Sequence, residues 1–446
     1  MKHCFWVALL FSQLAWGQTA VIVPKNSTIT DSLQKLEWFG EAKLGIFIHW
    51  GIYAVDGVDE SWAFYNRKVP YLTYMDQIKR FTASKYQPKE WTNLIAESGA
   101  KYAVITTKHH DGVALWDTKQ NTWSIPQSAP ARRDILTPLV WSLKEKGIKV
   151  GTYFSLIDWS HKDYPAVTKD SIRYKLTEDT LRWNRFVQFT HAQIKEVNDA
   201  YHPDLFWFDG DWEHSAKEWK AAEIRQSILK TNPNCIINAR LAGYGDYGTP
   251  EQHVPIQRPK DPFWELCMTM NKNWGYQPHD TVYKSTFELI SIFADCISMG
   301  GNLLLDIGPK ENGEIPEEQV RRLKELGRWT KKHSEAIYET KAGLPLGHFY
   351  GPSTLSKDST VLYLFIPGKG EGPFQVKGIK NQVKSIEVLG QQTKGLAKLV
   401  GKISWSSVPG VWYFSVPKPS LDPEMTVLKV VLDGKIQLYR GQGGFE

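Results

Sequence analysis

Asp209, in the run WFDGDW, follows an apolar stretch and precedes a glycine, the setting in which a carboxylate stands at a rim where a reacting carbon can approach it. Glu265, in FWELC, is a charge inside an otherwise apolar run. Such a charge costs free energy unless it is paired or functional, and a tryptophan-flanked apolar setting favours the protonated carboxyl that a general acid requires. Glu60, Asp211, Glu213 and Glu251 are rival carboxylates for that second role. Around them, apolar runs end in His49 and Trp50, in His109, His110 and Asp111, in Trp207 and in Arg240, while Tyr153 and Asp158 lie in or after another. Tryptophan rings pack on sugar C–H faces, and histidine and arginine donate to hydroxyls, so this is a set suited to glycoside hydrolysis. A retaining mechanism would hold its two carboxyl groups about 5 to 5.5 Å apart and pass through a covalent glycosyl-enzyme.

Metal chemistry is the competing use of His49, His109, His110 and Asp209. Adjacent histidines on a strand point to opposite faces, and the His-x-His pattern of a metallohydrolase barrel is absent. Neither a metal nor another cofactor is expected. Cys235, Cys267 and Cys296 sit in apolar runs with no Cys-x-x-Cys spacing, which predicts buried free thiols.

These side chains need a scaffold that gathers strand ends. Seven short runs rich in β-branched and aromatic residues recur: LGIFIHWG at 44–51, KYAVITTKHHDG at 101–112, IKVGTYFSLIDW at 148–159, DLFWFDG at 204–210, NCIINAR at 234–240, FWELCMT at 263–269 and GNLLLDIGP at 301–309. Segments with apolar residues at i, i+3, i+4 spacing separate them, among them WTNLIAESG, PLVWSLKEKG, EDTLRWNRFVQFTHAQIKEVNDAY and EWKAAEIRQSILKTN. The alternation predicts an α/β protein with a (β/α)8-like TIM barrel, whose C-terminal strand ends form the active-site face. One strand of the eight is not evident. After a helix expected at 317–338, Gly- and Pro-punctuated period-2 runs such as TVLYLFIP, VWYFSVP and MTVLKVVLDGKIQLYR predict a C-terminal antiparallel β-sandwich. The expected division is a signal peptide at 1–17, a catalytic barrel at 18–342 and the sandwich at 343–446.

The leader reading rests on Lys2, the apolar stretch from Phe5 to Phe11 and the small-x-small ending at Ala15 and Gly17. It predicts export to the periplasm or extracellular space, or to the lysosome in a eukaryote. Across 446 residues, 42% are hydrophobic and 23% charged, ordinary globular usage that excludes a disordered or collagenous chain. The excess of 54 Lys+Arg over 48 Asp+Glu is spread along the chain, so no nucleic-acid partner is expected. No membrane partner is expected either, because no stretch past the N-terminus approaches the ~20 apolar residues of a spanning helix. Nothing in the sequence sets an oligomeric state.

Taken in order, LGIFIHWG, TTKHHDG, GTYFS, LFWFDG, the Trp-Glu pair followed by NWGY, and GNLLLDIGP resemble the family 29 glycoside hydrolases, the retaining α-L-fucosidases, from about residue 34 to 340. The resemblance implies an exo-acting enzyme that takes fucosylated oligosaccharides or glycoconjugates as substrates. It implies Asp209 as nucleophile and Glu265 as acid/base, with His49, His109, His110, Tyr153, Trp207 and Arg240 lining the fucose pocket. Glu60 and Trp62 resemble the family's pocket Glu-Trp pair, here separated by Ser61. Phe47 and Trp207 could supply an apolar contact to the fucose methyl, worth only about 0.8 kcal/mol. Two other readings compete: a retaining glycosidase for another sugar, and a catalytically silent carbohydrate-binding barrel.

Overall fold

In the computed structural model, which describes residues 34–441 apart from 369 and 392, seven strands lie parallel in one curled sheet. They are β1 (Leu44–Ile48), β2 (Tyr102–Lys108), β3 (Lys149–Ser155), β6 (Leu205–Asp209), β7 (Ile236–Ile237), β8 (Glu265–Thr269) and β9 (Asn302–Ile307). A small hairpin, β4 (Ala166–Thr168) and β5 (Ser171–Ile172), follows β3. The order is β7-β6-β3-β2-β1-β9-β8, and each strand falls within one of the seven runs read from the sequence. The strands are buried on both faces, which is why they read as continuous apolar runs and not as alternating ones. The expected signal peptide lies outside the described residues.

The eighth position of the ring is held by an irregular segment, Tyr247 to Glu251. Single parallel bridges join Tyr247 to Asn238 beside β7, Gly248 to Trp264 and Glu251 to Cys267 on β8. Backbone bonds from Asp246 N to Ile237 O (2.6 Å), Glu265 N to Gly248 O (2.9 Å) and Gln252 N to Cys267 O (2.9 Å) close the seam.

Alternation along the strands separates two cores. Inward-facing Phe47, Tyr102, Val104, Tyr153, Leu205, Trp207, Cys267 and Leu304 fill the ring, and the helix Glu37–Ala42 contributes Phe39 to the same cluster. Their neighbours, such as Ile46, Ile105, Phe154, Phe208, Met268 and Leu305, pack outward among the helices. Helices Pro88–Glu97, Leu136–Glu145, Thr180–Tyr201, Ala221–Thr231 and Thr286–Ser298 lie between successive stretches of the ring, and Glu317–Lys332 follows it. Proline at the first turn of Pro88–Glu97 and a Ser285/Glu288 capping box at Thr286–Ser298 set where those two begin. Thr286–Ser298, in the run TFELISIFADCIS, is apolar around most of its circumference because the ring and the C-terminal sheet cover it from two sides.

From Lys341 onward the strands are antiparallel. A six-stranded sheet contains β10 (Lys341–Ala342), β11 (Ser353–Leu355), β12 (Val361–Pro367), β14 (Val383–Val388), β15 (Thr393–Lys394) and β18 (Met425–Leu432). A three-stranded sheet contains β13 (Phe374–Lys377), β16 (Leu396–Val400) and β17 (Val411–Ser415). Leu362, Leu364, Phe414, Leu428 and Val430 form a core of their own, while Tyr363, Phe365, Met425 and Val427 join the core of the barrel. Trp329 Nε1 donates to Met425 O at 2.8 Å, and Arg328 and Lys332 pair with the buried Asp422. Cys235, Cys267 and Cys296 are buried free thiols, as expected.

Candidate active site

A cavity of about 380 Å³ opens at the C-terminal ends of the ring strands. Its wall includes His49, Glu60, Trp62, His109, His110, Tyr153, Trp207, Asp209 and Arg240, nine of the positions singled out in the sequence. Phe47, Asp211, Trp212, Glu251 and Trp274 complete it. Parallel strands deliver their last residues to one face, so side chains more than 200 positions apart in sequence converge there.

Asp209 is the last residue of β6 and is only 8% exposed. Tyr153 Oη donates to its Oδ2 at 2.8 Å, and Arg240 Nη1 donates to its Oδ1 at 3.0 Å. The second Arg240 nitrogen, Nη2, donates to Glu251 Oε2 at 2.5 Å. One guanidinium therefore holds two carboxylates at the cavity, while its Cζ lies over the Trp207 ring, 4.7 Å from the ring centre.

Glu265 departs from its expected position. It opens β8, at the opposite end from the cavity, is fully buried and does not line the cavity wall. The exit end at Thr269 lies four positions further along the strand, about 13 Å away. Its oxygens accept from Tyr102 Oη (2.5 Å) and Trp207 Nε1 (2.9 Å) inside the ring. Glu251, on the closing segment, is the carboxylate that reaches the mouth, with its side chain 38% exposed. That segment carries Gly248 and Pro250, which break the period-2 signal by which strands are recognised.

The three histidines are neutral donors and acceptors. Burial pushes His49 and His109 well below their usual range and His110 down to about 3. Each has its Nδ1 held from behind: His49 by Asp306 Oδ1 (2.7 Å), His109 by Ser61 Oγ (2.6 Å) and His110 by Ser155 Oγ (2.6 Å). Ser155 donates its own hydrogen to Ile157 O, so it accepts from His110 Nδ1–H and leaves Nε2 as an acceptor. That Nε2 lies 3.8 Å from Asp209 Oδ2, with no hydrogen to donate across the gap. Burial also pushes the Asp306 carboxyl up, and the pair it makes with His49 Nδ1 fixes the orientation of that ring.

Glu60 Oε1 accepts from Gly275 N at 2.5 Å, and burial raises its carboxyl to about 7. Glu60 and Trp62 both reach the cavity because Ser61, between them, turns the other way toward His109. Trp274, from NWGY, packs 4.9 Å from the His49 ring. Trp50, Asp111 and Asp158, also at strand ends, belong to the scaffold: Trp50 Nε1 donates to Lys310 O, Tyr74 Oη donates to Asp111, and Asp158 receives Ser160 N and His161 N. Among the described residues, no group of three or more His, Cys, Asp or Glu could hold a metal ion.

Residues 12–335 match the family model described as Alpha-L-fucosidase. The tissue alpha-L-fucosidase of Homo sapiens is 30% identical over 427 residues, covering 88% of this chain and 87% of that protein. The solved structure of alpha-L-fucosidase isoenzyme 1 from Paenibacillus thiaminolyticus superposes with a TM-score of 0.81 at 31% identity, covering 90% of this chain and 100% of that one. A Bacteroides thetaiotaomicron alpha-L-fucosidase of family 29, solved as a trapped covalent intermediate with 2-fluoro-fucosyl fluoride in a glutamate-to-glutamine mutant, gives 0.79 at 29% identity, covering 90% and 96%.

Proposed function

The chain belongs to the α-L-fucosidase family of glycoside hydrolases, and from that premise we propose that it releases terminal α-L-fucose from glycans or glycoconjugates by double displacement, with Asp209 as nucleophile and Glu251 as acid/base. The observation that carries this assignment is the single guanidinium of Arg240 shared by the two carboxylates at the cavity. Two carboxylates within reach of one guanidinium favour the short spacing of a retaining enzyme over the ~6.5–9.5 Å of an inverting one. The covalent intermediate trapped in the Bacteroides relative supports the same chemistry.

In the first step an Asp209 oxygen attacks the anomeric carbon while Glu251 gives its proton to the departing glycosidic oxygen. Tyr153 and Arg240 hold Asp209 in the attacking orientation. In the second step Glu251 takes a proton from water, the water oxygen attacks the same carbon, and the Asp209–sugar bond breaks. His49 Nε2 and His110 Nε2 are open to sugar hydroxyls, the latter as an acceptor, and the 3.8 Å between His110 and Asp209 is a gap that a hydroxyl donating to either side can bridge. Phe47, Trp207 and Trp274 supply apolar faces, including one for the fucose methyl.

Hydrolysis of p-nitrophenyl α-L-fucoside by Asp209→Ala and Glu251→Ala, each with added azide, tests both roles. Asp209→Ala should lose about 10³-fold or more in kcat and yield the inverted β-fucosyl azide. Glu251→Ala should yield the retained α-fucosyl azide, because azide then intercepts the covalent intermediate. Full activity in Asp209→Ala, or no azide adduct from Glu251→Ala, would remove the corresponding residue from the mechanism.

A further inference from the structure

Trp212 lines the cavity wall but leaves 53% of its surface exposed. It sits in the short turn Asp211–Glu213, which directly follows the strand carrying Asp209. The turn is held on both sides of the tryptophan. Asp211 Oδ2 accepts Ala242 N at 2.7 Å, and Asp211 O accepts Trp219 Nε1 at 3.0 Å. Glu213 accepts Trp159 Nε1 at 3.1 Å and the hydroxyl of Tyr164. The half-exposed indole thus stands on a backbone that needs no ordering to bind, which lowers the cost of binding there.

The neighbouring rings give its position relative to the chemistry. His110, whose Nε2 is 3.8 Å from Asp209, meets Trp212 edge-on at 5.9 Å. Trp62 lies nearly parallel to Trp212, with 14° between the planes and 6.4 Å between centroids. Trp62 is backed in turn by Trp159 at 5.0 Å. The wall thus runs from the buried nucleophile through buried His110 out to the half-exposed Trp212. Glu251, which would protonate the leaving oxygen, is the other exposed member of the same wall.

We infer that Trp212, with Trp62 beside it, forms an acceptor subsite that stacks on the C–H face of the sugar or aryl ring to which fucose is attached. The inference rests on the hydrolase reading above and adds to it the group the enzyme recognises beyond the scissile bond. Indole is suited to this because a pyranose ring presents C–H bonds on one face, and stacking on it requires no hydrogen-bond pattern specific to one sugar. Trp212 acts on the leaving group, and so it sorts substrates by acceptor without contacting fucose.

The test compares wild type, Trp212→Ala and Trp212→Phe on α-L-fucosyl fluoride, whose leaving group has no ring, and on a panel of fucosyl disaccharides of different linkage. Trp212→Ala should lose roughly tenfold more kcat/KM on at least one disaccharide than on the fluoride, and Trp212→Phe should recover most of that difference. An equal loss on fluoride and on every disaccharide, or no loss on any disaccharide, would overturn the acceptor subsite. Failure of the wild type to turn over fucosyl fluoride would instead overturn the fucosidase reading on which the subsite rests.

Discussion

Burial raises the Glu265 carboxyl to about 7, against an ordinary 4.5, although Tyr102 and Trp207 donate to it. Between those values the folded chain keeps a proton that the unfolded chain has lost, so this group makes stability fall as pH rises through the window and level off above it. Glu265→Gln keeps the shape without the charge. Its melting temperature should match wild type near pH 4.5 and exceed it at pH 8, by an amount equivalent to a few kcal/mol at most, with hydrolysis retained. A variant that loses activity as Glu251→Ala does would return Glu265 to the reaction. Both glutamates are visible in the sequence, and an apolar setting draws attention to Glu265, the one that does not line the cavity. What separates them is position in the ring: Glu265 begins a strand at the end away from the cavity, while Glu251 ends the closing segment at the cavity wall. The neutral state of the three histidines was equally hidden, since it depends on burial and on partners such as Asp306 and Ser155 far away in sequence.

At the scale of elements, the seven regular strands were legible because each is an apolar run bounded by turn residues, and both faces of each are covered. The closing segment from Tyr247 to Glu251 was not, because its pairing consists of single bridges made possible by the strands on either side. Helix Thr286–Ser298 escaped for a related reason: covered from two sides, it shows little of the polar face that marks an amphipathic helix. Gly245, just before the closing segment, is packed tightly enough to test its role. A Cβ there would stand 2.2 Å from Asn238 O and 2.6 Å from Ala239 Cα, backbone atoms that cannot rotate away. Gly245→Ala should therefore displace the segment that carries Glu251, lowering kcat/KM by about tenfold or more and costing about 1–3 kcal/mol of stability. Unchanged rates together with an unchanged melting curve would mean that the seam moves without consequence for Glu251.

At the scale of the whole molecule, barrel and sandwich share a core through Trp329, Phe365, Met425 and Val427, reinforced by Asp422 between Arg328 and Lys332. Such a junction couples the two parts, and calorimetry should record one main unfolding transition. The seam is the exception within that cooperative unit. A cavity of about 340 Å³ lies against Tyr247, Gly248, Pro250 and Trp264, and Trp264 Nε1 is buried without a hydrogen-bond partner. The cavity and the single bridges there mean that opening the segment costs less than unfolding the chain. Because that segment carries the proposed acid/base, warming should silence the enzyme before it melts. Initial rates measured against temperature should turn over several degrees below the calorimetric midpoint, and amide exchange in residues 245–252 should outpace that of β1, β2 and β9. Coincident midpoints would show the seam to be as firm as the strands around it; separated ones would make it a thermal fuse, through which heat switches off turnover while leaving the molecule intact to recover on cooling.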